Sequence, residues 1–293
     1  MAWLPFWLPP LTAAFVYAFA ALAIKRVSDW YGPWRVAFFS NLAVAALFAP
    51  LFALPQADAS WSHWWQPVLT GAGFFAGQVF TFLAIYRGDV SVATPLMASK
   101  TIFVALYAAL LLGAELGCEL WAAAALTTVA VALLRGGTAA ERRRLLPSIV
   151  FGLLSAMTFG ATDIAVQELS GPFGFNRFLP VMFGTAGLLS FGLIPLFTKR
   201  PGLAPPASRL WAHAGCWLLA LQAGIVGWSL SHFGRAPEQN IVYAARGLFS
   251  LFFVWLVGRS MGLGERGLPP RELARRLAGA LLLIGCVASV TLG

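Results

Sequence analysis

Ten uninterrupted apolar stretches, each about as long as the roughly 20 residues needed to cross a bilayer core, constrain this chain more than any other feature. They occupy 5–24, 35–54, 67–86, 91–113, 117–134, 147–168, 178–197, 210–232, 238–258 and 274–292. The longest connections, 55–66, 135–146 and 259–273, are too short to hold an extramembrane domain. The runs are continuously apolar, without the sustained alternation of a transmembrane strand, so a β-barrel is excluded. Of the 293 residues 59% are hydrophobic and 11% charged, where a soluble domain carries about 25% charged residues. The expected fold is an all-α polytopic membrane protein of ten transmembrane helices. Trp61, Trp64 and Trp65 read as an interfacial aromatic cluster, and Gly73 with Gly77 as a close-packing GxxxG step in the third span.

The net charge of +9 lies in short loops, where it sets orientation in the membrane and forms no groove for nucleic acid. Counting Lys and Arg at alternate ends places 16 on one side; the other side holds only Arg177 and Arg235. That asymmetry puts the 135–146 connection in the cytoplasm and both termini outside, in a multi-pass protein of the cell (inner) membrane. The first run follows an uncharged start and precedes Lys25 and Arg26, as expected of a retained span and not of a cleaved leader. Cys118, Cys216 and Cys286 are far apart and form no metal or redox motif, so they read as small apolar packers and no cofactor is expected.

The two halves of the chain echo each other. Gly32-Pro33 after span 1 recurs as Gly171-Pro172 after span 6, and Pro50-Leu51-Phe52 recurs as Pro195-Leu196-Phe197. Setting Lys100 against Arg246 pairs Gly88 with Gly234 and Phe103 with Phe249 without a gap. The chain divides into a first five-helix repeat (1–134), a basic cytoplasmic linker (135–146) and a second repeat (147–293). Five spans are an odd number, so the second repeat must be inverted. Inverted repeats characterise secondary transporters, whose substrate binds near the midplane between the halves.

The stretch from Ala84 to Gly117, AIYRGDVSVATPLMASKTIFVALYAALLLGAELG, and its partial repetition from Ser231 to Gly267 resemble the signature of the drug/metabolite transporter superfamily, in its EamA-type branch. The Gly-Glu ending of that signature is intact at Gly264-Glu265 and reads Gly113-Ala114-Glu115 in the first half. The resemblance implies a cavity lined by spans 1–4 and 6–9, with spans 5 and 10 at the periphery. It names no cargo, because members of the superfamily carry amino acids, drugs, nucleotide sugars and sugar phosphates.

Lys100 and Arg246 are the two basic residues that fall within spans and not at their ends. Lys100 lies about nine residues into span 4, roughly 14 Å at 1.5 Å per residue, and Arg246 at a similar depth in span 9, entered from the opposite face. A charge there must face a wet cavity or a partner. Asp163 is the one acid well inside a span, so it can neutralise one base and leaves a residual positive charge. Asp163 is also the candidate for proton coupling. A cationic midplane attracts an anion, with Arg246 as a bidentate fork and Lys100 as a point charge. The arrangement is similar to that of the triose-phosphate/phosphate translocators of the same superfamily, which place basic residues on helices four and nine.

Gln78, Thr94, Asn240 and Tyr243 are the other candidate substrate-binding residues, and Gln222 reads as interhelical glue. Tyr17, Trp228 and Trp255 either line the cavity or simply pack. Pro95 is a candidate hinge in span 4. These residues support transport of a small organic anion by alternating access. Export of amino acids or other neutral or zwitterionic metabolites or drugs is the alternative. An intramembrane enzyme acting on lipid lacks support, since there is no HExxH, no GxSxG and no pair of intramembrane acids, and His63, His213 and His232 are scattered. The expected partners are a small-molecule substrate, the lipid bilayer and, as a candidate, a second copy of the chain in a homodimer.

Overall fold

A computed structural model describes residues 4–54, 61–87, 96–134, 145–198, 205–257 and 270–292. Its helices are α1 (Leu8–Tyr31), α2 (Pro33–Phe48), α3 (Trp65–Arg87), α4 (Lys100–Leu112), α5 (Cys118–Leu134), α6 (Leu145–Phe173), α7 (Phe175–Leu189), α8 (Pro206–Phe233), α9 (Ala236–Tyr243), α10 (Arg246–Val257) and α11 (Pro270–Leu292). Short 3-10 segments, Ala49–Ala53 and Ser190–Leu196, extend α2 and α7 at matching places in the two halves. No strand occurs among the described residues. Seven spans are long and apolar enough to cross a membrane as single helices, and spans 4 and 5 are shorter apolar helices. The ninth span, expected as one run over 238–258, is two helices, α9 and α10, joined at Ala244-Ala245.

Packing partners exchange when the halves are exchanged. The extensive α1–α8 contact is matched by α3–α6, α2–α8 by α3–α7, and α1–α10 by α4–α6. Each pair maps onto the other when span 1 is swapped for span 6, 2 for 7, 3 for 8 and 4 for 9. The self-paired contacts, α2–α7 and α5–α11, lie on the pseudo-symmetry axis. The fold is thus ten transmembrane helices arranged as two inverted five-helix repeats. Helices α5 and α11 pack on each other and reach the rest of the bundle through α4, α9 and α10.

Small residues make these seams, because lipid is as apolar as leucine and helices in it associate by close packing. Along α1, Ala13, Ala14, Ala18, Ala20 and Ala23 are buried, and α8 answers with Ala212, Ala220 and Ala223. Gly73 and Gly77 do the same in α3: a Cβ at Gly73 would meet the Thr162 hydroxyl at 3.2 Å, and one at Gly77 the Phe159 ring at 3.1 Å. Large apolar side chains such as Leu110, Leu188, Leu210 and Leu281 point outward, as a lipid-facing surface requires. Trp61, Trp64 and Trp65 are also exposed.

One detail of the repeat differs from the expectation. Helix α6 runs straight through Gly171-Pro172 and stops only at Gly174, whose φ of 96° ends it. The counterpart of Gly32 (φ 66°) at the junction of α1 and α2 is therefore Gly174 and not Gly171. Pro172 sits in the last turn of a helix already 29 residues long.

Candidate functional site

Spans 4 and 9 tighten at the same place. In span 9 the amides of Ala245, Leu248 and Phe249 donate to Val242, Ala245 and Ala245. In span 4 the amides of Ser99, Ile102 and Phe103 donate to Leu96, Ser99 and Ser99. Every one of these pairs is related by the register that sets Lys100 against Arg246. The link is a 3-10 step, a departure from α-geometry that commonly marks a working site within a helix. Lys100 opens α4 and Arg246 opens α10, so each basic side chain emerges from the first residue beyond the step.

The two environments are not equivalent. Lys100 Nζ lies 2.6 Å from Asp163 Oδ2 of α6, and the Lys100 side chain is 17% exposed. The same carboxylate oxygen accepts a hydrogen bond of 2.7 Å from Asn240 Nδ2, which also donates to the Ala236 carbonyl at 2.9 Å. Spans 4, 6 and 9 are thereby tied at one oxygen. The Phe159 ring lies 5.7 Å from Lys100 Nζ. Arg246 has no carboxylate partner among the described residues. Its guanidinium instead sits 5.0 Å from the centroid of Tyr17 and 4.5 Å from that of Tyr243, whose rings meet edge to face at 6.2 Å. Tyr243 donates its hydroxyl proton to Gln222 Oε1 at 2.5 Å, which leaves its π-face to the arginine. Cation–π contact of this kind suits arginine better than lysine.

The structure thus brings together five expected residues, Lys100, Asp163, Asn240, Arg246 and Tyr243. Gln78 belongs to another polar group: Asn41 Nδ2 donates to Gln78 Oε1 at 2.8 Å and to Ser190 Oγ at 2.7 Å, linking α2, α3 and the end of α7. Thr94 and Pro95 lie outside the described residues, as does the Trp255 side chain. Trp228 stacks on His232 within its own helix at 5.0 Å. Tyr17 was undervalued by sequence reasoning. It comes from span 1, 229 positions before Arg246 in the chain, and a lone aromatic in an apolar helix carries no signal of what it faces.

Residues 5–136 match the family model of the EamA-like transporter family. The first half of the chain is therefore similar to that family. No curated protein matches the chain in sequence. Among solved structures, one crystal structure superposes with a TM-score of 0.73, covering 98% of this chain and 96% of the other at 19% identity. At that identity the likeness speaks for the fold alone. The EamA-like proteins that the first half resembles are transporters, and in this chain the paired basic residues lie between the two repeats.

Proposed function

We propose that this protein is a transporter, like the EamA-like proteins its first half resembles, and moves a small organic anion by alternating access, with Arg246 as the principal anion contact and Lys100 as its partner. The observation that carries the reading is the imbalance of charge among the described residues at the centre: two cations, one carboxylate, and that carboxylate already engaged by Lys100 and Asn240. A guanidinium held between two tyrosine rings, with no carboxylate partner among the described residues, is preset for a bidentate carboxylate or phosphate. The symmetric 3-10 steps beside both bases suit this reading, because transporters place discontinuous helices at their substrate sites. An incoming anion also competes with Asp163 for Lys100. In this scheme Asp163, once displaced, is the group that accepts a proton and couples the cycle. The basic-rich side faces the cytoplasm and both termini lie outside.

The test is thermal unfolding of the purified protein against a panel of carboxylates, phosphate esters, amino acids and neutral metabolites. Lys100→Ala and Arg246→Ala are run alongside. A ligand that binds the folded state at about 100 times its Kd stabilises by about 2.7 kcal/mol. Stabilisation by anions that is lost in both variants is the expected result. Stabilisation by zwitterions or neutral compounds that survives both substitutions would make the basic pair structural and favour the metabolite-exporter reading.

A further inference from the structure

A second basic site lies away from the central pair, at the end of the bundle where α1, α2 and α8 meet. A cleft of about 460 Å³ is lined there by Tyr31, Arg35, Phe39, Arg209, His213 and Cys216, among others. Among the described residues, no carboxylate lines it. Arg35 is pinned by its guanidinium, whose carbon lies 4.7 Å from the centroid of the Phe197 ring. Its Nη1 is shielded from solvent and has no hydrogen-bond partner among the described residues. A buried, charged N–H without an acceptor is costly and rare, and it points to a missing anionic oxygen.

The backbone adds to the same field. Helix α2 begins at Pro33 and α8 at Pro206, so Arg35 and Arg209 both lie in first turns, where the helix dipole disfavours cations and favours anions. Arg35, placed against its own helix dipole with Nη1 unmatched, makes sense when a negative ligand sits beside it. One turn along α2 from Arg35, Phe39 is 40% exposed on the outside of the bundle. Charge is therefore collected at the membrane-interface end of the cleft, with apolar surface beside it toward the core.

We propose that this cleft binds the phosphate of an anionic phospholipid, with Arg35 as the principal contact, His213 assisting, and an acyl chain running along Phe39. The basic clefts that transmembrane helices form at interfaces recognise acidic headgroups by this combination. The site is independent of the transport reading, since none of its residues touches Lys100, Asp163 or Arg246.

Native mass spectrometry of the full chain, with phosphatidylglycerol or phosphatidylcholine added, tests the assignment. One phosphatidylglycerol should stay bound under activation that strips phosphatidylcholine, and it should raise Tm. Arg35→Gln should weaken retention about tenfold or more, and Arg35→Lys should recover part of it. Arg235→Gln, at the opposite end of the bundle, should leave retention unchanged. If Arg35→Gln fails to fold, His213→Gln decides, with weakened retention expected. Equal retention of both lipids, or wild-type retention in the Arg35→Gln and His213→Gln variants, would overturn the proposal. Inorganic phosphate raising Tm as much as phosphatidylglycerol does would mark a free-phosphate site and overturn the lipid assignment.

Discussion

Lys100 and Asp163 show how a single contact sets the character of a buried site. Each residue alone would be an uncompensated charge in a low-dielectric bundle, so removing one partner costs far more than removing both. Asp163→Asn is expected to lower unfolding stability by about 3–5 kcal/mol, read from denaturant titration in detergent. The double variant Lys100→Met with Asp163→Leu should recover most of that loss. An Asp163→Asn protein as stable as the wild type would mean that water, and not the carboxylate, holds Lys100. Asn240 belongs to the same unit because its amide grips the carboxylate oxygen that Lys100 uses. The sequence marks Lys100, Asp163 and Arg246 clearly, since charge within an apolar span is rare. It cannot say which base takes the acid, because that depends on distances across spans 4, 6 and 9.

Among the elements, the helix seams carry the stability and spans 4 and 9 carry the irregularity. Gly71 faces the backbone of α7, and a Cβ there would collide with the Met182 carbonyl and come within 2.9 Å of Thr185 Cβ. Gly279 of α11 holds the α5 seam, where a Cβ would lie 2.8 Å from both the Ala130 carbonyl oxygen and Leu133 Cβ. Because a backbone carbonyl cannot step aside, Gly71→Ala and Gly279→Ala should each destabilise by about 1–3 kcal/mol. Gly184→Ala, with nothing within 4 Å of its Cβ, should be neutral or stabilising, since alanine is the better helix former by up to about 1 kcal/mol. Melting curves of the three variants side by side check the contrast, and equal behaviour would refute it. The helical step at Ala245 had no sequence mark: no proline or glycine precedes Arg246 within the turn, and only the hydrogen-bond pattern shows it.

Taken whole, the bundle is two interlocked repeats whose packing partners exchange between halves, the symmetry that the proposed alternating access requires. In the proposed cycle each repeat adopts the arrangement the other has just left, with the seams sliding and not separating. The proposed orientation rests on the distribution of Lys and Arg in the sequence, 16 on one side and two on the other. A reporter fused after residue 293 should be found outside the cytoplasm in intact cells. A cytoplasmic signal would reverse the orientation while leaving the repeat architecture untouched.

Hydropathy by itself determined the number and course of the spans, because twenty apolar residues in a row have one physical solution in lipid: a helix that satisfies its own backbone. Recurring residues exposed the five-plus-five repeat, and charge within apolar runs marked the residues of the centre, since both are visible as local pattern. Tertiary structure alone decided the rest. It paired Asp163 with Lys100, set Arg246 between Tyr17 and Tyr243, sent Gln78 to Asn41, and ended α6 at Gly174. Each of those outcomes turns on contacts between residues remote in the chain, or on a backbone angle that several nearby glycines could equally have supplied.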